Sequence, residues 1–198
     1  TIIEGPGGGN DTLDFSNVTA ALIFTLNGQN VHVTDGPDTV DHTGSGGVSH
    51  VENFIGGSTD DRFEISGSNA INLRGGPGDD LFLFANGATL NGTIDGEADL
   101  ADELNYAAYT TPVTVDLSTG SAMNISGGAT FRITNIENIT GGQADDELMG
   151  DSANNVINSG PGADILIGLG GDDTYRFEDG WGDDTVLEGV GAGTDTLD

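Results

Sequence analysis

The feature that most restricts this chain is a nine-residue period. From Gly141 the sequence divides into GGQADDELM, GDSANNVIN, SGPGADILI and GLGGDDTYR, and after the insertion Phe177-Glu178 comes DGWGDDTVL. The sixth position holds Asp146, Asn155, Asp164, Asp173 and Asp184, and the eighth holds Leu148, Ile157, Leu166, Tyr175 and Val186. The same grammar occurs earlier as GGSTDDRFE (56–64) and GGPGDDLFL (75–83), separated by a degenerate ten-residue turn at 65–74 in which Ile71, two places before Leu73, takes the place of the sixth-position acid. The first six residues of a block need left-handed backbone and close approach, which glycine allows without a Cβ clash. The last three extend as a short strand whose eighth-position side chain faces inward. Stacking then buries that residue repeat upon repeat, as a one-dimensional array.

Charge decides what fills the loops. Asp plus Glu number 33 against four Lys plus Arg, a formal net charge of -29. Nucleic acid and anionic membrane surfaces need a basic face and are excluded as partners. The chain has no cysteine, which excludes a disulfide scaffold and a thiolate metal site. Acidity of this degree implies either disorder or carboxylates neutralised by divalent cations, and the regular spacing of the acids favours the second. Calcium takes six to eight hard oxygen ligands at about 2.3–2.6 Å. Loop carbonyls and one carboxylate from each of two stacked loops supply that chemistry. No stretch approaches a transmembrane span, so membrane insertion is not expected. There is no signal peptide at the N-terminus, and targeting information is expected outside these residues.

The pattern resembles Gly-Gly-x-Gly-x-Asp-x-apolar-x, the nonapeptide of the RTX (repeats-in-toxin) calcium-binding family. The resemblance implies an all-β fold, a right-handed parallel β-roll or β-solenoid in which two nonapeptides make one turn. Each of several Ca2+ ions would then sit between loop i and loop i+2. Carried over by position, Asp61 lies opposite Asp80 and Asp146 opposite Asp164. Asp184 extends the second pair, and Asn155 faces Asp173 with an amide where the family has a carboxylate. The loop glycines implied at these sites are Gly57, Gly76, Gly78, Gly142, Gly160, Gly162 and Gly171. The turn at 65–74 should bind nothing. The second acids of the Asp-Asp doublets (Asp60, Asp79, Asp145, Asp172, Asp183) should face solvent.

Two longer repeats organise the chain. Residues 1–14, TIIEGPGGGNDTLD, match 185–198, TVLEGVGAGTDTLD, at nine of fourteen positions, including Glu4/Glu188, Asp11/Asp195 and Leu13/Leu197. The simplest account is a unit of 184 residues repeated head to tail. Within it, Val51-Glu52-Asn53-Phe54-Ile55 resembles Ile136-Glu137-Asn138-Ile139-Thr140, and Asp11-Thr12-Leu13-Asp14 resembles Asp102-Glu103-Leu104-Asn105. The expected divisions are a first half-repeat at 1–100 with nonapeptide turns at 56–83, a second at 101–184 with turns at 141–184, and the start of the next unit at 185–198. Residues 12–55 and 103–139 carry strand signals without helical periodicity. They read as wider, irregular turns of the same solenoid, with an inserted β-sandwich as the alternative.

Catalytic chemistry is not expected. The acids follow a structural period, and His32, His42 and His50 have no metal-site spacing, reading as solvated loop residues. Trp181 and Tyr175 should pack or cap the last turn. These readings converge on a calcium-binding structural repeat of a long secreted or cell-surface, adhesin-like protein. It would be extracellular and bacterial, its partners calcium and the neighbouring repeats, and the family's export route is type I secretion. The alternative is a non-catalytic calcium or polysaccharide-binding module of a secreted enzyme. With four basic residues, an anionic cell-surface polysaccharide would have to be held through calcium.

Overall fold

The computed structural model describes residues 9–28, 30–43, 51–97, 101–126, 132–189 and 193–198. All regular structure among them is β. Its spine is a ten-stranded sheet. From the C-terminal end it contains Thr196–Leu197, Thr174–Arg176, Val156–Asn158, Asn138–Thr140, Glu103–Asn105, Leu81–Phe84, Arg62–Ser66, Ile23–Asn27, Asn30–Thr34 and Thr39–Thr43. From Ile23–Asn27 to the C-terminal end the pairings are parallel, so the chain must leave and return once per strand.

In the second half the return runs through one opposing sheet, made of Glu147–Met149, Ile165–Ile167 and Thr185–Leu187 with Thr114–Asp116 and Ser121–Ala122. Leu148 aligns with Leu166 and Val186 on this side, and Ile139 with Ile157 and Tyr175 on the spine. Each step of register is two nonapeptides, so the eighth-position residues form two facing apolar columns.

The first half departs from the two-faced roll. Here the chain rotates through three sheets: Val51–Ile55, Arg62–Ser66 and Ser68–Asn69, then Asn72–Arg74, Leu81–Phe84 and Thr89–Asn91, then Ile94–Asp95 and Glu103–Asn105. The degenerate turn at 65–74 therefore adds a third side. Ile71 points into the core, and left-handed Gly67 (φ 66°) turns the corner. The apolar residue in place of an acid is a packing residue of that side.

The two insertions mix solenoid and antiparallel structure. Asp11–Asp14 pairs in parallel with Val51–Ile55, and Ile23–Asn27 with Arg62–Ser66. Between them, Ile23–Asn27, Asn30–Thr34 and Thr39–Thr43 form an antiparallel meander that prolongs the spine sheet. In the second insertion, Thr114–Asp116 and Ser121–Ala122 form a hairpin, while Ile125–Ser126 and Ile133–Thr134 rejoin the parallel stack. Among the described residues neither insertion stands apart as a sandwich. His32 lies on a strand, not in a loop, with Nδ1 2.5 Å from Asp41 Oδ1 on the neighbouring strand. His42 falls on the strand Thr39–Thr43, and His50 lies outside the described residues.

The core is a ladder of rings and branched side chains. Phe24, Phe63 and Phe82 stack with centroids 4.4 and 4.8 Å apart, and Phe84 stacks on Tyr106 at 4.9 Å. Phe63 is fully buried between its two neighbours, so truncation removes contacts on both faces. Phe63→Ala is expected to destabilise the folded protein by about 3–5 kcal/mol, measured as a shifted denaturant midpoint at saturating calcium. An unchanged midpoint would show that the stack carries little of the stability.

Candidate metal centre

Among the parallel strands of the spine, Arg62–Ser66, Leu81–Phe84, Glu103–Asn105, Thr174–Arg176 and Thr196–Leu197 each follow an aspartate whose carboxylate bonds the neighbouring turn. Asp61 Oδ1 accepts the Leu22 N–H (2.7 Å), Asp80 Oδ1 the Asp61 N–H (2.7 Å) and Asp102 Oδ1 the Asp80 N–H (2.7 Å). Further along, Asp173 Oδ1 accepts the Asn155 N–H (2.8 Å) and Asp195 Oδ1 the Asp173 N–H (3.0 Å). The opposing sheet of the second half has its own column. Asp146, Asp164 and Asp184 accept from Val113, Asp146 and Asp164 at 2.7, 2.7 and 3.0 Å. Each acid thus holds the backbone of the turn before it.

That bond uses one oxygen. The other, Oδ2, is buried without a hydrogen-bond partner in Asp80, Asp164, Asp173 and Asp184. Two acids at the start of their columns differ: Asp61 Oδ2 and Asp146 Oδ2 accept short hydrogen bonds from the Gly57 and Gly142 N–H groups of their own loops. A buried carboxylate oxygen left unpaired is costly. The fold holds Asp80, Asp164 and Asp173 toward the neutral acid. Burial first, then the charges of Asp102 and Asp61, push Asp80 up to about 8. Burial first, then Asp146 and Asp184, push Asp164 up to about 6. Asp61, Asp146 and Asp173 are also raised, chiefly by burial.

At Asp80 and Asp173 the space around these oxygens exists because glycine opens the loop. A Cβ on Gly75 would overlap Asp80 Oδ2 and press on the Gly96 carbonyl, and one on Gly168 would overlap Asp173 Oδ2. Left-handed backbone at Gly76 (φ 104°) and Gly171 (φ 106°) brings them against the Gly57 and Ala153 carbonyls of the adjacent turn. Gly57 and Gly142 contribute through their N–H groups. Carboxylate and carbonyl oxygens therefore meet between successive loops, an all-oxygen donor set that suits a hard divalent cation of calcium's size.

Residues 140–175 match the family model of the RTX calcium-binding nonapeptide repeat, in four copies. No curated protein matches the chain. The repeats imply a calcium-binding structural module, and Ca2+ is the ion they imply. The buried Oδ2 atoms and the glycine-lined space fit that ion.

The spacing rule pairs Asp61 with Asp80, Asp146 with Asp164, Asp164 with Asp184 and Asn155 with Asp173, and these loops are adjacent in the structure. Asn155 differs in kind: its Oδ1 accepts from the Asp151 N–H (2.9 Å) and its Nδ2 donates to the Glu137 carbonyl (3.0 Å). The amide satisfies itself inside the fold. The doublet acids Asp60, Asp79, Asp145, Asp172 and Asp183 are exposed. Asp60, Asp145 and Asp172 still accept a backbone N–H from the next turn, at 3.0, 3.0 and 2.8 Å.

The nonapeptide rule misses Asp102, Glu137, Glu188 and Asp195. Asp102 joins the columns of the two halves: its Oδ1 serves Asp80, and its N–H donates to Glu137 Oε2 (3.2 Å). The apolar-Glu-Asn-apolar step marks that role. Glu52, the equivalent of Glu137, accepts the N–H of Asp11, the equivalent of Asp102, at 2.8 Å. Asp173, Glu188 and Asp195 bring carboxylate oxygens within 4.8 Å of one another.

Proposed function

We propose that this chain is a calcium-rigidified structural spacer of a long secreted or cell-surface protein, built from head-to-tail units and ordered by extracellular calcium. The observation that carries the reading is the row of buried, unpartnered Oδ2 atoms on Asp80, Asp164, Asp173 and Asp184. Desolvated carboxylates with no cation nearby oppose folding, and an ion bound between the loops turns the same groups into cross-links. The ligands we assign are Asp61, Asp80, Asp146, Asp164, Asp173 and Asp184, with the carbonyls of the glycine loops. Proteins carrying this repeat are typically secreted. Among the described residues no helix is long and apolar enough to cross a membrane.

Direct calcium titration with magnesium as control tests the reading. Asp80→Asn and Asp164→Asn each leave the fold but remove a charged ligand. Each is expected to weaken calcium binding at its site at least tenfold, while magnesium binds none of the three proteins under the same conditions. Equal calcium affinity in wild type and both variants would overturn the assignment.

The polysaccharide-module reading rests on a polar groove of about 760 Å³ over the outer face of the spine sheet, lined by Glu103, Asn105, Asn138, Thr140, Asn158 and Arg176 among others. No aromatic ring is among its described lining residues, which removes the usual stacking platform and ranks this reading second.

A further inference from the structure

Asp11–Asp14 and its repeat, Asp195–Asp198, stand in the structure in two settings, and the settings are complementary. Toward the C-terminal end, Thr196 N–H donates to the Asp173 carbonyl (2.8 Å) and Asp198 N–H to that of Tyr175 (2.9 Å), while Phe177 N–H donates to the Asp198 carbonyl (3.0 Å). Thr196 and Asp198 therefore face the preceding turn. In the other setting, Asp11–Asp14 pairs with Val51–Ile55, and Phe15 N–H donates to the Ile55 carbonyl (3.0 Å). Parallel strands use alternate residues for each edge. Leu13 and Phe15 thus face the following turn, and Thr12 and Asp14, the counterparts of Thr196 and Asp198, point the other way. One strand can make both sets of bonds at once.

The aspartates repeat the logic. Asp195 Oδ1 accepts from the preceding turn through the Asp173 N–H (3.0 Å), and Asp11 N–H donates to the following turn through Glu52 Oε2 (2.8 Å). Asp102 does both within one molecule, receiving from Asp80 at 2.7 Å and donating to Glu137 at 3.2 Å. Its strand, Glu103–Asn105, lies between Leu81–Phe84 and Asn138–Thr140. The join between the two halves is thus a worked example of a join between two units. Leu197, the counterpart of Leu13, is 70% exposed and stands in register with buried Tyr175, where a following turn would cover it.

A cation completes the join. Asp173 is buried, its Oδ2 has no hydrogen-bond partner, and the Glu188 and Asp195 carboxylates meet it within 4.8 Å. The Tyr175 hydroxyl donates to Glu188 Oε1. Glu188 belongs to no nonapeptide, and both it and Asp195 lie beyond the matched repeats, but both recur as Glu4 and Asp11.

We propose that consecutive 184-residue units form one uninterrupted solenoid through a shared strand, the Asp195–Asp198 counterpart of Asp11–Asp14. A calcium ion held by Asp173 of one unit and the Glu188 and Asp195 that open the next pins the join. The ten-stranded sheet of one unit then runs into the sheet headed by Asp11–Asp14 of the following unit. The inference rests on the calcium-spacer reading and adds where the units meet and what holds them.

Two measurements test it. In the 198-residue chain, Glu188→Gln and Asp195→Asn are each expected to bind one calcium fewer than wild type by equilibrium dialysis, with the β-signal of the repeats retained. An unchanged count overturns the ion at the join. A wild type that binds no calcium overturns the spacer reading itself, so the two failures are distinct. The second measurement uses a two-unit chain in which residue 184 is followed by residues 1–198. Amide exchange at Thr12 and Asp14 of the second unit should be at least tenfold slower than at the same residues of the first. Equal rates overturn the shared strand, whatever the ion count.

Discussion

Calcium removal at pH 7.5 is expected to abolish most of the β-sheet signal of this chain, and calcium addition to restore it cooperatively, while magnesium leaves the chain unfolded. The expectation follows from where the charge sits. Of 33 acidic side chains against four basic ones, Asp61, Asp80, Asp102, Asp146, Asp164 and Asp173 are buried. Arg62 pairs with Glu64 and Arg74 with Glu97 on the surface. Without an ion, folding must desolvate these carboxylates against one another. A site with a dissociation constant a hundredfold below the free calcium concentration contributes about 2.7 kcal/mol. Three such sites give about 8 kcal/mol, the whole net stability of an ordinary domain. Magnesium is the discriminating control, because it demands smaller octahedral geometry and gives up its water reluctantly. Far-UV circular dichroism of a chelator-treated sample, titrated with each ion, reads the outcome. A metal-free chain that keeps its full β-signal at pH 7.5 would mean that the apolar ladder of Phe24, Phe63 and Phe82 holds the fold unaided.

The parts of this architecture legible in the sequence are those that repeat with a fixed period. Two nonapeptides per turn, as the family resemblance implies, sufficed to place Leu148 over Leu166 and Asp146 beside Asp164, because a parallel stack allows little freedom once its period is set. The third side of the first half was not legible. Ile71 in place of an acid reads as a degenerate loop, and only the tertiary structure shows that the chain turns an extra corner at Gly67 to bury it. The antiparallel meander was hidden for a similar reason, since alternation marks Ile23–Asn27 as a strand without giving the direction of its neighbours. Asp102 escaped because its loop, opening at Gly96, lacks the Gly-x-Gly signature. Its clue was the Asp-x-Leu recurrence, which a search for nonapeptides passes over. The pattern also puts Asn155 at a ligand position, and the structure engages its amide with the Asp151 N–H and the Glu137 carbonyl.

The same buried carboxylates predict that protons replace calcium. Asp80 and Asp164 are raised in the folded state from the usual 3.8 to about 8 and about 6, burial being the first cause in both. A carboxyl whose folded value is raised binds more protons folded than unfolded, so stability falls as pH rises. The contribution is complete below about pH 4, the unfolded value, and is lost progressively as pH climbs through 6 and then 8. Asp61, Asp146 and Asp173 shift in the same direction and add to the slope. The metal-free chain should therefore regain β-structure at pH 5 and lose it again by pH 8, a reversal of ordinary acid denaturation. Calcium should flatten the profile above pH 6, because a bound cation favours the ionised carboxylate, and its apparent affinity should fall as pH drops below that range. Asp80→Asn carries a neutral amide at every pH. In the absence of metal it should unfold at a higher pH than wild type, even as it weakens calcium binding. Thermal melts at pH 5, 6.5 and 8, with chelator and with calcium, separate these effects. If the metal-free melting temperature rises from pH 5 to 8, the buried acids are not what limits folding without calcium. If Asp80→Asn gains nothing at pH 8, the cost lies with other acids of the columns.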